Sequence, residues 1–149
     1  MAVMSRSGYS DDYGDDDTWA LVRWRGAVAS AIRGKRGQAF LRELIAALDA
    51  MPEKRLLANV FANDSGCCAM GAVALSRGID PEDVRRIESW SFDDIGSRQA
   101  AKALGIAGAL AKEIAHENDE GAMSTPEHRW QYMRAWARSN IRTEGSDGD

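Results

Sequence analysis

Apolar residues recur at helical spacing along most of this chain, and helix start and stop signals punctuate the runs. That pattern limits the fold more than any other feature. Between Thr18 and Arg33, Leu21, Trp24, Val28 and Ile32 share one face at about 100° per residue, with Trp19, Arg23, Gly26, Ser30 and Arg33 opposite. A second stripe, Phe40, Leu44, Leu48 and Met51, predicts a helix over about 38–51, with Arg42 and Asp49 pointing away and Pro52 stopping it. Asp80-Pro81-Glu82-Asp83 is a helix start. Aspartate caps, proline fits the first helical position, and acids suit the positive end of the helix dipole. That short helix is expected to end near Trp90, before a loop over 91–97. Two short helices split at Gly105 fill 98–118. Thr125-Pro126-Glu127 opens a last helix to about Arg142, with Trp130, Met133, Ala137 and Ile141 on its inner side.

The remaining stretches are less regular. Residues 56–62 read as a short strand or an extended connection, and Asn63-Asp64-Ser65-Gly66 is turn chemistry. Residues 67–77 are rich in Ala, Gly and Cys, which predicts a tightly packed central helix. The expected fold is all-α or mainly α: a compact bundle of about five to seven short helices. It begins with an antiparallel helical hairpin whose tip is the basic turn Arg33-Gly34-Lys35-Arg36-Gly37. No internal repeat is visible.

Organisation follows from length and charge. A chain of 149 residues buries roughly 68–70% of its unfolded surface, so one core suffices without metal or disulfides. Residues 1–17 hold five aspartates between Asp11 and Asp17 and almost no large aliphatics, which predicts a disordered acidic arm. A single helical domain is expected over 18–142, with a flexible tail at 143–149. From Thr18 to Arg42 there are six basic residues (Arg23, Arg25, Arg33, Lys35, Arg36 and Arg42) and no acid, although the net charge is −4. Cys67 and Cys68 are adjacent, so a structural disulfide between them is strained and a reducing compartment fits. The first residues lack an apolar signal core, and the apolar run at 66–75 is too short to span a bilayer. A cytoplasmic protein without membrane contact is expected.

Candidate chemistry is sparse. Adjacent Cys67 and Cys68 cannot both face one zinc ion, and His116 and His128 do not complete a zinc spacing, so no metal and no cofactor is assigned. As catalytic thiols they lack a base in sequence, and the bland alternative is two small core residues. His116-Glu117-Asn118-Asp119-Glu120 could supply an acid–base pair or oxygen ligands, against a solvated turn before Gly121 as the simpler reading. Residues 99–114 have a helix-turn-helix rhythm, with Ile106, Leu110 and Ile114 inward, but the reading positions are Ala107, Gly108 and Ala109. The basic hairpin is the best binding surface: Arg23, Arg33, Lys35 and Arg36 to meet a partner, with Trp19 available to stack or anchor. Its partner is a protein, nucleic acid or the chain's own acidic arm. No phosphate-loop, dinucleotide or HExxH motif is present.

Four stretches carry a resemblance: 33–56, 68–80, 104–120 and 125–136. Together they resemble a group of small uncharacterised proteins of tailed bacteriophages and prophages. The resemblance implies a phage accessory protein in the cytoplasm of a bacterial host. The expected function is non-enzymatic binding of a host or phage protein complex, with inhibition of a bacterial antiviral defence such as CRISPR as a specific form. The alternative is a nucleic-acid-binding regulator that uses the hairpin at 23–42.

Overall fold

Helices make up most of residues 18–86, 94–120 and 125–142, the parts that the computed structural model describes. In chain order they are α1 (Thr18–Arg33), α2 (Lys35–Ala50), α3 (Ala69–Ser76), α4 (Pro81–Arg86), α5 (Asp94–Leu104), α6 (Gly108–Glu120) and α7 (Pro126–Ser139). Two-residue strands β1 (Ala62–Asn63) and β2 (Gly66–Cys67) pair antiparallel between α2 and α3, Ala62 opposite Cys67 and Asn63 opposite Gly66. The mainly helical fold is the expected one. Residues 56–61 form an extended connection rather than a strand, and the Asn63 side chain closes the turn by accepting from Ser65 N at 2.7 Å.

Helix α3 lies at the centre because its side chains are small. Ala69, Met70, Gly71, Ala72, Val73 and Ala74 are all buried, and α2, α4, α5 and α6 pack around it. A Cβ on Gly71 would lie 2.2 Å from Phe61 O, so only glycine lets the connection cross this closely. The predicted stripe of α2 supplies the other half of the core: Phe40, Leu44 and Leu48 are buried, joined by Leu41, and they face α3 and α7. Burial of each such side chain contributes about 1.5–3 kcal/mol. From α7, Met133 and Ala137 close the core, while Trp130 is half-buried and donates to Leu48 O at 3.1 Å. The caps read from sequence are present. Asp80 Oδ1 accepts from Glu82 N at 2.8 Å, and Thr125 Oγ1 accepts from His128 N at 3.0 Å.

Several boundaries differ from the sequence reading. The five-residue basic turn is one residue, Gly34; Lys35 and Arg36 already belong to the first turn of α2. The corner is tight because Gly37 is buried in α2, where a Cβ would lie 1.9 Å from Ala31 O of α1. Beyond it the two helices part company: α1 packs chiefly on α6, and α2 on α3 and α7. Helix α4 is described to Arg86, and the expected end near Trp90 lies outside the described residues. Helix α5 starts at Asp94, so 94–97 are helical rather than loop. Helix α7 ends at Ser139, three residues early, where Asn140 caps it. The acidic arm at 1–17 and the tail at 143–149 lie outside the described residues. Among the described residues, no helix is long and apolar enough to cross a membrane.

Candidate functional site

The polar segment 116–120 is not a solvated turn but the last stretch of α6, and it divides by face. Asn118 is fully buried. Its Oδ1 accepts from Ala69 N at 3.1 Å, and its Nδ2 donates to Leu57 O and to Asp119 Oδ1, both at 2.8 Å. Asp119 Oδ1 in turn accepts from Asn59 N at 2.9 Å, which holds Asn59 in a left-handed conformation (φ 67°). Arg129 adds bonds to Asn118 O at 2.8 Å and Leu56 O at 3.2 Å. This side of α6 is a structural joint that satisfies the open N-terminus of α3 and the 56–59 connection.

The other side of α6 faces a cleft of about 430 Å³ bounded by α1 and α7. Half-buried Trp24 and Trp136 stand in its walls with buried Val28 and half-buried Ile32. Glu113, His116 and Glu117 fall at i, i+3 and i+4, so the helix brings them to one face. One ligand atom from each lies within 4.8 Å of the others. An imidazole nitrogen and two carboxylates are donors that suit a divalent metal such as zinc. His116 Nδ1 lies 2.8 Å from Glu120 Oε2, and Tyr132 donates its hydroxyl to Glu117. Burial, then the hydrogen bond and charge of Glu117, push the Glu113 carboxyl up to about 7, while His116 and Arg25 act the other way. Burial and the bond to Glu117 push Tyr132 up to about 12. The fold thus favours the protonated form of Glu113, which can donate to Glu117.

A second concavity, about 440 Å³, adjoins the first across Arg33, which lines both. Its walls are Arg33, Lys35, Arg42 and Arg142, and Gln38 lies at its base. Gln38 is 7% exposed and knits three segments together. Its Nε2 donates to Ile32 O (2.7 Å) and Asn140 O (2.9 Å), and its Oε1 accepts from Arg142 N (2.7 Å). Arg42 Nη2 donates to Arg142 O at 3.0 Å. Of the residues singled out in the sequence, Arg33 and Lys35 line this groove and Arg36 is exposed beside it on the first turn of α2. Arg23 is exposed but ten residues back along α1, about 15 Å at helical rise, and does not join them. The Trp19 side chain lies outside the described residues. Arg142 and Gln38 join the groove without having been singled out by the sequence pattern. Nothing local in the sequence says that the end of α7 meets the start of α2.

The remaining candidates resolve simply. Cys67 and Cys68 are both buried, and burial with the neighbouring Cys68 pushes the Cys67 thiol up to about 12, away from the thiolate form that attacks or ligates. Cys68 Sγ accepts from Gly71 N at 3.5 Å as the cap of α3. The α5–α6 pair has the expected inward residues, Ile106, Leu110 and Ile114. Lys112 of α6 is half-buried and lies over the Trp24 ring, 5.0 Å from its centroid. No protein family matches the chain, and neither a curated protein nor a solved structure does.

Proposed function

We propose that this chain is a non-enzymatic binding protein that engages a protein complex of a bacterial host or its phage. The cleft between α1, α6 and α7 would hold the partner. The observation that carries this reading is the make-up of the cleft. Trp24 and Trp136 are presented together with Arg25 and Arg33 on one side and the Glu113–Glu117 pair on the other. Tryptophan and arginine are the residue types that most often anchor interfaces, where the partner completes their burial. Carboxylates beside aromatic walls favour a cationic side chain from the partner. The tailed-phage resemblance supports the host cytoplasm as the place of action. Inhibition of an antiviral defence is the narrower form of the same reading.

The test is chemical cross-linking of the tagged full-length chain in host lysate at about 150 mM salt, where surface charge alone is largely screened. A stoichiometric partner cross-linked to the wild type and lost in Trp24→Ala/Trp136→Ala, with circular dichroism unchanged, is the expected result. Retention of the same partner by the double variant would remove the cleft from the reading. No partner on the wild type would sink the reading itself.

A further inference from the structure

We propose that the corner where α1 ends and α2 begins binds the phosphate backbone of nucleic acid. Four cationic side chains, Arg33, Lys35, Arg42 and Arg142, surround one groove, and Arg36 stands beside it. They come from three separate segments: the end of α1, the first half of α2 and the residues after α7. Gln38, saturated by three backbone partners, fixes those segments against one another, so the cations are held together rather than merely near in sequence.

Two arginines elsewhere on the described surface are held in ion pairs. Arg77 is paired bidentately with Glu43 at 2.7 and 2.6 Å, and Arg134 with Asp49 at 2.6 and 3.1 Å. Among the described residues, Arg33, Lys35 and Arg36 have neither an ion pair nor a hydrogen-bond partner for their side chains. Helix α2 adds to the positive potential. Its cap, Gly34, provides no side-chain acceptor, and its first turn has no acid. Helices normally place acids there, so cations in that position cost stability unless an anion sits over the N–H groups.

The groove chemistry selects the ligand. Among the described residues its walls hold no aromatic or large aliphatic side chain of the kind that most often anchors a protein interface. Phosphate contacts need none. The amide that could read an adenine edge, Gln38, is already engaged, so affinity rests on the backbone and carries little sequence preference.

Fluorescence anisotropy of labelled, mixed-sequence DNA and RNA oligonucleotides with the full-length chain tests the proposal, starting at about 50 mM salt. The expected result is binding that weakens steeply with salt, at a slope of about 0.9 per phosphate contacted. Arg33→Ala/Lys35→Ala/Arg36→Ala should weaken binding about tenfold or more and make the slope shallower by about 2–3. The charge-matched control Arg86→Ala/Arg98→Ala/Lys102→Ala, on α4 and α5, should leave both unchanged. No binding by the wild type, or equal binding by the corner variant, overturns the proposal. Displacement by polyglutamate as readily as by unlabelled oligonucleotide also overturns it, and assigns the corner to an acidic protein instead.

Discussion

The C-terminal turn of α6 and the N-terminal turn of α2 handle polar side chains in opposite ways. In α6, Asn118 and Asp119 spend their hydrogen-bonding capacity inside the chain, on Ala69, Leu57 and Asn59. In α2, Lys35 and Arg36 stand exposed at a helix end that disfavours them, with no partner among the described residues. The first arrangement holds the fold together. The second slightly weakens it and leaves charge available to something else. Polar residues equally conspicuous in sequence thus divide by where their partners lie, and substitution should separate the two kinds by the sign of its effect on stability.

The largest effect is expected at Asn118. Asn118→Ala leaves the Ala69 N–H and the Leu57 carbonyl buried without partners, and should cost about 3–4 kcal/mol in urea unfolding. A loss below about 1 kcal/mol would mean that water replaces the amide and that the joint is not what holds α3. Gln38 lies between the two regimes because it is saturated itself yet positions the cations. Gln38→Ala should cost about 2–3 kcal/mol and, in addition, weaken oligonucleotide binding by releasing Arg142. Loss of stability with binding intact would separate the joint from the groove.

A smaller effect is expected in the cleft. Glu113 titrates at about 7 in the folded chain against an ordinary 4.5, so the fold favours its protonated form. The associated stability is fully present below about pH 4.5 and is lost as pH rises through 7. Discounted for solvent screening at a half-exposed site, the loss is about 1–2 kcal/mol. Melting curves of the wild type and Glu113→Gln should therefore diverge as pH rises from 4.5 to 8, with the variant the more stable at the upper end. Parallel curves would show that burial and Glu117 do not raise Glu113. The smallest change, and the one of opposite sign to Asn118→Ala, is Lys35→Glu/Arg36→Glu. It puts acids on the first turn of α2 and should stabilise by about 0.5–1 kcal/mol while abolishing anion binding. Destabilisation instead would mean that the two cations make contacts the fold needs.

Much of this molecule was legible before its structure. The stripes Phe40–Leu44–Leu48 and Met133–Ala137 are buried as their spacing requires, and the caps at Asp80 and Thr125 make the expected bonds. Arg33, Lys35 and Arg36, singled out for their charge, are exposed as expected, though Lys35 and Arg36 start a helix rather than form a turn. Two glycines around Lys35-Arg36 look like a break in sequence. Gly37 is instead there so that α2 can touch the backbone of α1 at Ala31, a need that arises only between helices. The 116–120 segment was misread for a related reason: one more turn of α6 puts Asn118 inside and Glu117 in the cleft, and a buried amide resembles a solvated one until its partners are known.

The sequence by itself determined the helices, their starts and most of their inward faces. Those depend on interactions reaching three or four residues, through hydrogen bonds along the backbone and the 3.6-residue period. The tertiary structure alone decided that Arg142 meets Arg33 and Lys35, that Glu113 and His116 share a cleft with Trp24, and that Asn118 reaches Leu57 and Ala69. Those pairings span up to about a hundred residues. They follow from which faces of which helices bury one another, a choice made by the packing of the whole core.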